Sequence, residues 1–110
     1  MIKSIKNWMD KNKDKFKDLD IKSEIAIDND NVFAFDFISK KAMARITCWK
    51  EMFLDIQALE TKNGKTILFQ HFEFNDFPEY DYLFSKLFEI IISGKNINWN
   101  GSEIVLNSEI

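Results

Sequence analysis

His71 and Cys48 are the chain's one histidine and one cysteine, and they bound most of the chemistry open to it. A metal centre usually needs His, Cys or carboxylate ligands clustered at short spacings, and no such spacing occurs. His71 falls mid-strand among phenylalanines, where a satisfied or half-exposed strand histidine is the plain reading. Cys48 sits between Thr47 and Trp49, on the expected core side with Ile46, and reads as an inert buried thiol. A single cysteine forms no intrachain disulfide, which is compatible with a reducing compartment. The 3 glycines stand at 64, 94 and 101, too scattered for a phosphate-binding loop. Neither a catalytic group, a metal nor a cofactor is therefore expected, and the chain does not read as an enzyme.

A second set of residues is better suited to recognition than to catalysis. Asp36, Arg45 and Asp55 each fall on the outward side of a strand. Together they form either a solvated cross-strand ion pair or a charged binding cluster. Arg45 and Trp49 share one side of a strand, roughly 13 Å apart at the rise of an extended chain. They are too distant to stack but can form one surface with Phe53 and Gln57. Arginine and aromatic side chains on an open face have the composition of an interface hot spot. A tryptophan at that position can equally serve to cap the sheet edge.

Positioning these side chains requires a sheet. Phe33, Phe35 and Phe37 in Val32–Ser39 alternate with Ala34, Asp36 and Ile38, the strongest core signal in the sequence. Burial of each ring contributes about 2–3 kcal/mol before entropy. The next strand is Ala42–Trp49, and the one after it is Met52–Leu59, with Met52, Leu54, Ile56 and Ala58 inward. Before them, Ile21–Ile27 alternates with Ile21, Ile25 and Ile27 on one side. After them, the Asn63-Gly64 pair marks a hairpin in which both residues accept positive φ. The fifth strand, Lys65 to about Phe74, has apolar residues on both sides and predicts a bulge or two buried faces.

Helices flank the sheet. Ile2 to about Lys17 repeats apolar residues at helical spacing, and its stability should come from docking the Trp8 stripe on the sheet. Asp76 or Phe77 near the N-cap, with Pro78 in the first turn, begins a second helix. There Glu79 and Asp81 complement the helix dipole, and the helix stops at Gly94. Residues 95–110 read either as a small hairpin about Asn100-Gly101 or as an irregular wrap. The order predicts an α+β fold: a five-stranded antiparallel meander with an N-terminal and a C-terminal helix packed on one face. The 110 residues fit a single domain spanning 1–110.

Charge narrows the partners. The formal net charge of -3 argues against nucleic acid and fits a basic protein. The Lys-rich first helix is interrupted by Asp residues, which argues against a membrane-surface role. No apolar run is long enough to cross a bilayer, and a cytoplasmic protein is expected.

Ala44-Arg45-Ile46-Thr47-Cys48-Trp49, the Asp55 strand, the Asn63-Gly64 hairpin and a second aromatic strand resemble the TriTu-type immunity proteins of polymorphic-toxin and contact-dependent growth inhibition systems. The order of a Trp-bearing N-terminal helix, a meander and an acidic-starting helix is also similar, over roughly Ile2 to Gly94. Cys48 stands where the family pattern leads us to expect an aliphatic residue, and the segment from Lys95 has no counterpart. The resemblance implies binding and neutralisation of a cognate toxin C-terminal domain, a transfer-RNA nuclease that works with elongation factor Tu. Asp36, Arg45, Trp49, Phe53 and Asp55, with the outward carboxylates Glu79 and Asp81, are then the partner-binding candidates. They would occlude the toxin's active site or a surface that binds its substrate or factor. A small adaptor or regulatory module using the same sheet face is the alternative reading.

Overall fold

The computed structural model describes residues 1–96. The chain runs α1 (Ile2–Lys11), α2 (Lys13–Asp18), β1 (Lys22–Asp28), β2 (Val32–Ile38), β3 (Ala42–Trp49), β4 (Phe53–Glu60), β5 (Thr66–Glu73) and α3 (Tyr80–Ser93). All five strands pair antiparallel in sequence order, which is the expected meander. The possible hairpin about Asn100-Gly101 lies outside the described residues.

Period-2 patterning decides which side of the sheet is covered. Phe33, Phe35 and Phe37 of β2 are buried on the same side as Ala44, Ile46 and Cys48 of β3 and Leu54, Ile56 and Ala58 of β4. Ile5, Trp8 and Met9 of α1, Phe16 of α2 and the Leu83–Ile91 stripe of α3 join them in one core. Aromatic rings bind the layers. Phe37 lies 5.0 Å from both Phe16 and Phe88, edge-on to each, and Trp8 stacks on Phe84 at 4.3 Å. Among the described residues, the helices therefore occupy one side of the sheet and leave the other bare.

Several local expectations are corrected. The first helix is two. Asn12 donates its side-chain amide to the Trp8 carbonyl at 2.8 Å, the oxygen its own backbone N–H would take in a continuous helix. That N–H bonds Met9 instead, at 3.2 Å. Ile25 lies opposite Phe35 on the helix side, but a groove of about 460 Å³ between α1–α2 and β1 leaves it 63% exposed. A bulge between Ile25 and Ile27 then turns Ile27 to the bare side, opposite Ala34. The three isoleucines expected on one side are thus divided, and only Ile21 is buried.

Met52 does not begin β4. It turns the chain with φ 67°. In the β4–β5 loop Gly64 has φ 70°, while Asn63 keeps negative φ and accepts the Lys65 N–H on its side-chain oxygen at 2.9 Å. The expected irregularity in β5 falls at Ile67, which the pairing skips between Leu68 and Thr66. The last helix is capped by Glu79, two or three residues later than expected, so Pro78 precedes it.

Gly94 ends α3 as expected, with φ 72° and its N–H on the Ile90 carbonyl. A Cβ there would meet the Lys41 Cβ at 3.0 Å, whereas one at Gly64 would meet nothing within 4 Å. Gly94→Ala should therefore lose about 1–2 kcal/mol in urea unfolding, and Gly64→Ala the smaller part of that, from backbone strain alone. Equal losses would show that the Lys41 contact gives way freely.

Candidate functional site

Pairing register sets two rows of side chains across the bare side. One row reads Asp36, Arg45, Gln57, Phe69; the next reads Ala34, Thr47, Asp55, His71. Trp49 ends β3 and Phe53 starts β4, so the turn between them puts both rings at one end of this face. Asp36, Arg45, Trp49, Phe53 and Asp55 thus all lie on the bare side, as expected.

The acidic residues do not behave alike. Arg45 donates from Nε to Asp36 Oδ1 at 2.8 Å and from Nη2 to Oδ2 at 2.9 Å, a bidentate cross-strand pair. Asp36 is 7% exposed, and Glu24 of β1 stands directly opposite it. The guanidinium therefore compensates a nearly buried carboxylate with a like charge beside it. That pairing in turn raises the Arg45 pKa further above its ordinary value, the hydrogen bond to Asp36 being the largest cause.

Asp55 is not part of that pair. It accepts a hydrogen bond from His71 Nδ1, directly across the β4–β5 ladder. The Trp49 indole N–H points at its other oxygen from 3.5 Å. Glu73 Oε1 lies 3.8 Å from His71 Nε2, and the Phe53 ring stands edge-on to the imidazole at 5.8 Å. The hydrogen bond to Asp55 is the largest cause raising the His71 pKa above the usual histidine value. Partial desolvation opposes it, and the Asp55 and Glu73 charges add to it.

Glu79 and Asp81 lie in the helix layer, and the structure does not bring them to this face. Glu79 caps α3 by accepting the Asp81 N–H. Asp81 Oδ1 accepts the Trp8 indole N–H at 2.8 Å, and Ser4 Oγ meets Tyr80 Oη at 2.5 Å nearby. These contacts tie α1 to α3. Conversely, His71 and Glu73 belong to the face although neither was among the expected site residues. The signal for them is their place opposite Asp55 and Phe53, legible only once the β4–β5 register is fixed.

Cys48 is buried in the core, and desolvation pushes its thiol up to about 11, so it stays protonated and unreactive at neutral pH. Among the described residues no group of three or more His, Cys, Asp or Glu is placed to hold a metal ion. None of their helices is long and apolar enough to cross a membrane.

Arginine and aromatic side chains on an open sheet face share the residue composition of protein interfaces. The family model described as immunity protein TriTu matches residues 3–90, and the chain belongs to that family. Membership supports an immunity function and implies a cognate toxin as the partner. Nothing matches among curated proteins or among solved structures.

Proposed function

We propose that the bare sheet face binds the C-terminal domain of a cognate toxin and neutralises it in the cytoplasm, without catalysis by this chain. The toxin is a transfer-RNA-cleaving nuclease of a contact-dependent growth inhibition system, and elongation factor Tu meets this protein only through the toxin. The observation that carries this reading is the grouping of Trp49, Phe53 and Asp55 at one end of a face that no helix of the described residues covers. A nuclease presents cationic side chains to phosphate, so an inhibitor of net charge -3 meets it with the opposite potential. Contact through this face blocks the toxin's active site or the surface by which it takes its substrate or factor.

Co-expression tests the reading. Cells carrying the toxin domain encoded beside this gene should grow when the chain is supplied and die when it is not. Death in both cases would end the proposal. Transfer RNA intact in the rescued cells and cut in the others would identify the nuclease.

A further inference from the structure

Granting that the sheet face receives the toxin, we propose that Asp55 and Glu73, flanked by the rings of Trp49 and Phe53, form the seat for one cationic side chain of that toxin, and that His71 fills this seat in the free protein. The two acidic positions on the face differ in what they offer. Asp36 is nearly buried, and both its oxygens are held by Arg45. It has no room for an outside cation. The Asp55 side chain is 34% exposed and the Glu73 side chain 64%. Glu73 stands too far from His71 for a hydrogen bond, and the Trp49 contact to Asp55 is at the outer limit for one.

Among the described residues imidazole is therefore the one firm partner of Asp55, and losing a proton weakens its hold on the carboxylate. A protonated His71 between two carboxylates and beside an aromatic ring already has the environment of a bound cation. A lysine or arginine from the toxin would take over the same carboxylates and gain the exposed indole face of Trp49. The groups facing His71 are Asp55 and Phe53 from β4 and Glu73 from its own strand; Thr47 and Trp49 of β3 lie on the far side of Asp55. Arg45 is one row away and committed to Asp36. Among the described residues no helix packs on this side to add a further charge.

A proton-linked affinity follows, and its sign is fixed. The imidazolium is favoured in the free protein because Asp55 hydrogen-bonds to it. An incoming cation on Asp55 removes that preference, so binding expels the His71 proton. Affinity then rises with pH until the free protein has itself lost that proton, by at most about tenfold per pH unit for one proton, and is flat above.

The test is calorimetric titration of the full chain with the purified toxin domain encoded beside its gene, between about pH 6 and 8.5. Asp55→Asn should weaken binding by about tenfold or more and Glu73→Gln by several-fold. Glu89→Gln, the same charge change on the exposed side of α3, should shift it less than about twofold. His71→Gln, which keeps a neutral donor, should bind without the rise in affinity with pH. If the parent chain binds but Asp55→Asn and Glu73→Gln bind as well as it does, or the pH slope survives in His71→Gln, the seat is wrong while the immunity reading stands. If the parent chain does not bind the toxin domain at all, the immunity reading falls and takes the seat with it. Unchanged thermal unfolding of each variant excludes loss of the fold as the cause.

Discussion

Phe37→Ala should cost about 3–5 kcal/mol of stability, the largest loss expected from any single truncation in this chain. Phe37 is fully buried, and its ring meets Phe16 of α2, Phe35 of its own strand, and Phe84 and Phe88 of α3. Truncation removes the transfer free energy of the ring and leaves a cavity where α2 and α3 converge on β2. Rigid strands on one side and α3 on the other limit collapse into that space. Small domains are stable by only about 5–15 kcal/mol, so the variant should be near its limit at body temperature. Guanidinium unfolding checks this: the midpoint should fall with the slope unchanged. Phe69→Ala, on the bare face and 62% exposed, should stay within about 0.5 kcal/mol of the parent. A loss below about 1 kcal/mol at Phe37 would remove its claim to join the layers.

How far the sequence was legible depended on whether local pattern or tertiary position decided each residue. The three alternating phenylalanines of β2 fix its inner side by themselves, since a slip of one residue would expose all of them. Once β2 is placed, Ala44, Ile46 and Cys48 must face the same way, and Arg45 and Trp49 the other. The outward group on the three middle strands followed from that constraint. Pattern failed where one residue interrupts it. Apolar spacing continues through Asn12, with Met9 and Phe16 both buried, so a break made by one side-chain hydrogen bond leaves no trace in periodicity. The bulge in β1 likewise turns Ile27 outward within an unbroken alternation.

Edge position was equally hidden. Ile25 does face the helix side, but the helices do not cover that margin of the sheet. His71 was legible as a half-exposed strand histidine and no more. Its tie to Asp55 depends on a register set by the five-residue loop 61–65 and the irregularity at Ile67, neither of which residue type alone dictates. Asp81 had the right charge for a basic partner, yet an indole on a separate helix already holds one of its oxygens. Charge nominates it, and packing places it in the helix layer rather than on the sheet face.

Trp49→Ala should reduce affinity for the toxin domain by about thirtyfold or more, equivalent to about 2 kcal/mol, with little change in stability. Trp49 is 37% exposed at the end of β3, opposite Val32, and among the described residues its indole N–H has only the long contact to Asp55. A large apolar ring left in solvent contributes little to the free fold, but it gains its full transfer free energy when a partner covers it. The alternative role, capping the sheet end over Val32, predicts the reverse order of effects. Unfolding would then shift by more than about 1 kcal/mol while affinity followed only through lost folded protein. Measuring both quantities on one variant separates the two. Trp49→Phe sharpens the comparison, because it keeps an aromatic surface while deleting the N–H directed at Asp55. Intermediate affinity for that variant would show that ring area and hold on the carboxylate both contribute. Affinity equal to that of the alanine variant would place the whole effect in the indole N–H and its orientation of Asp55.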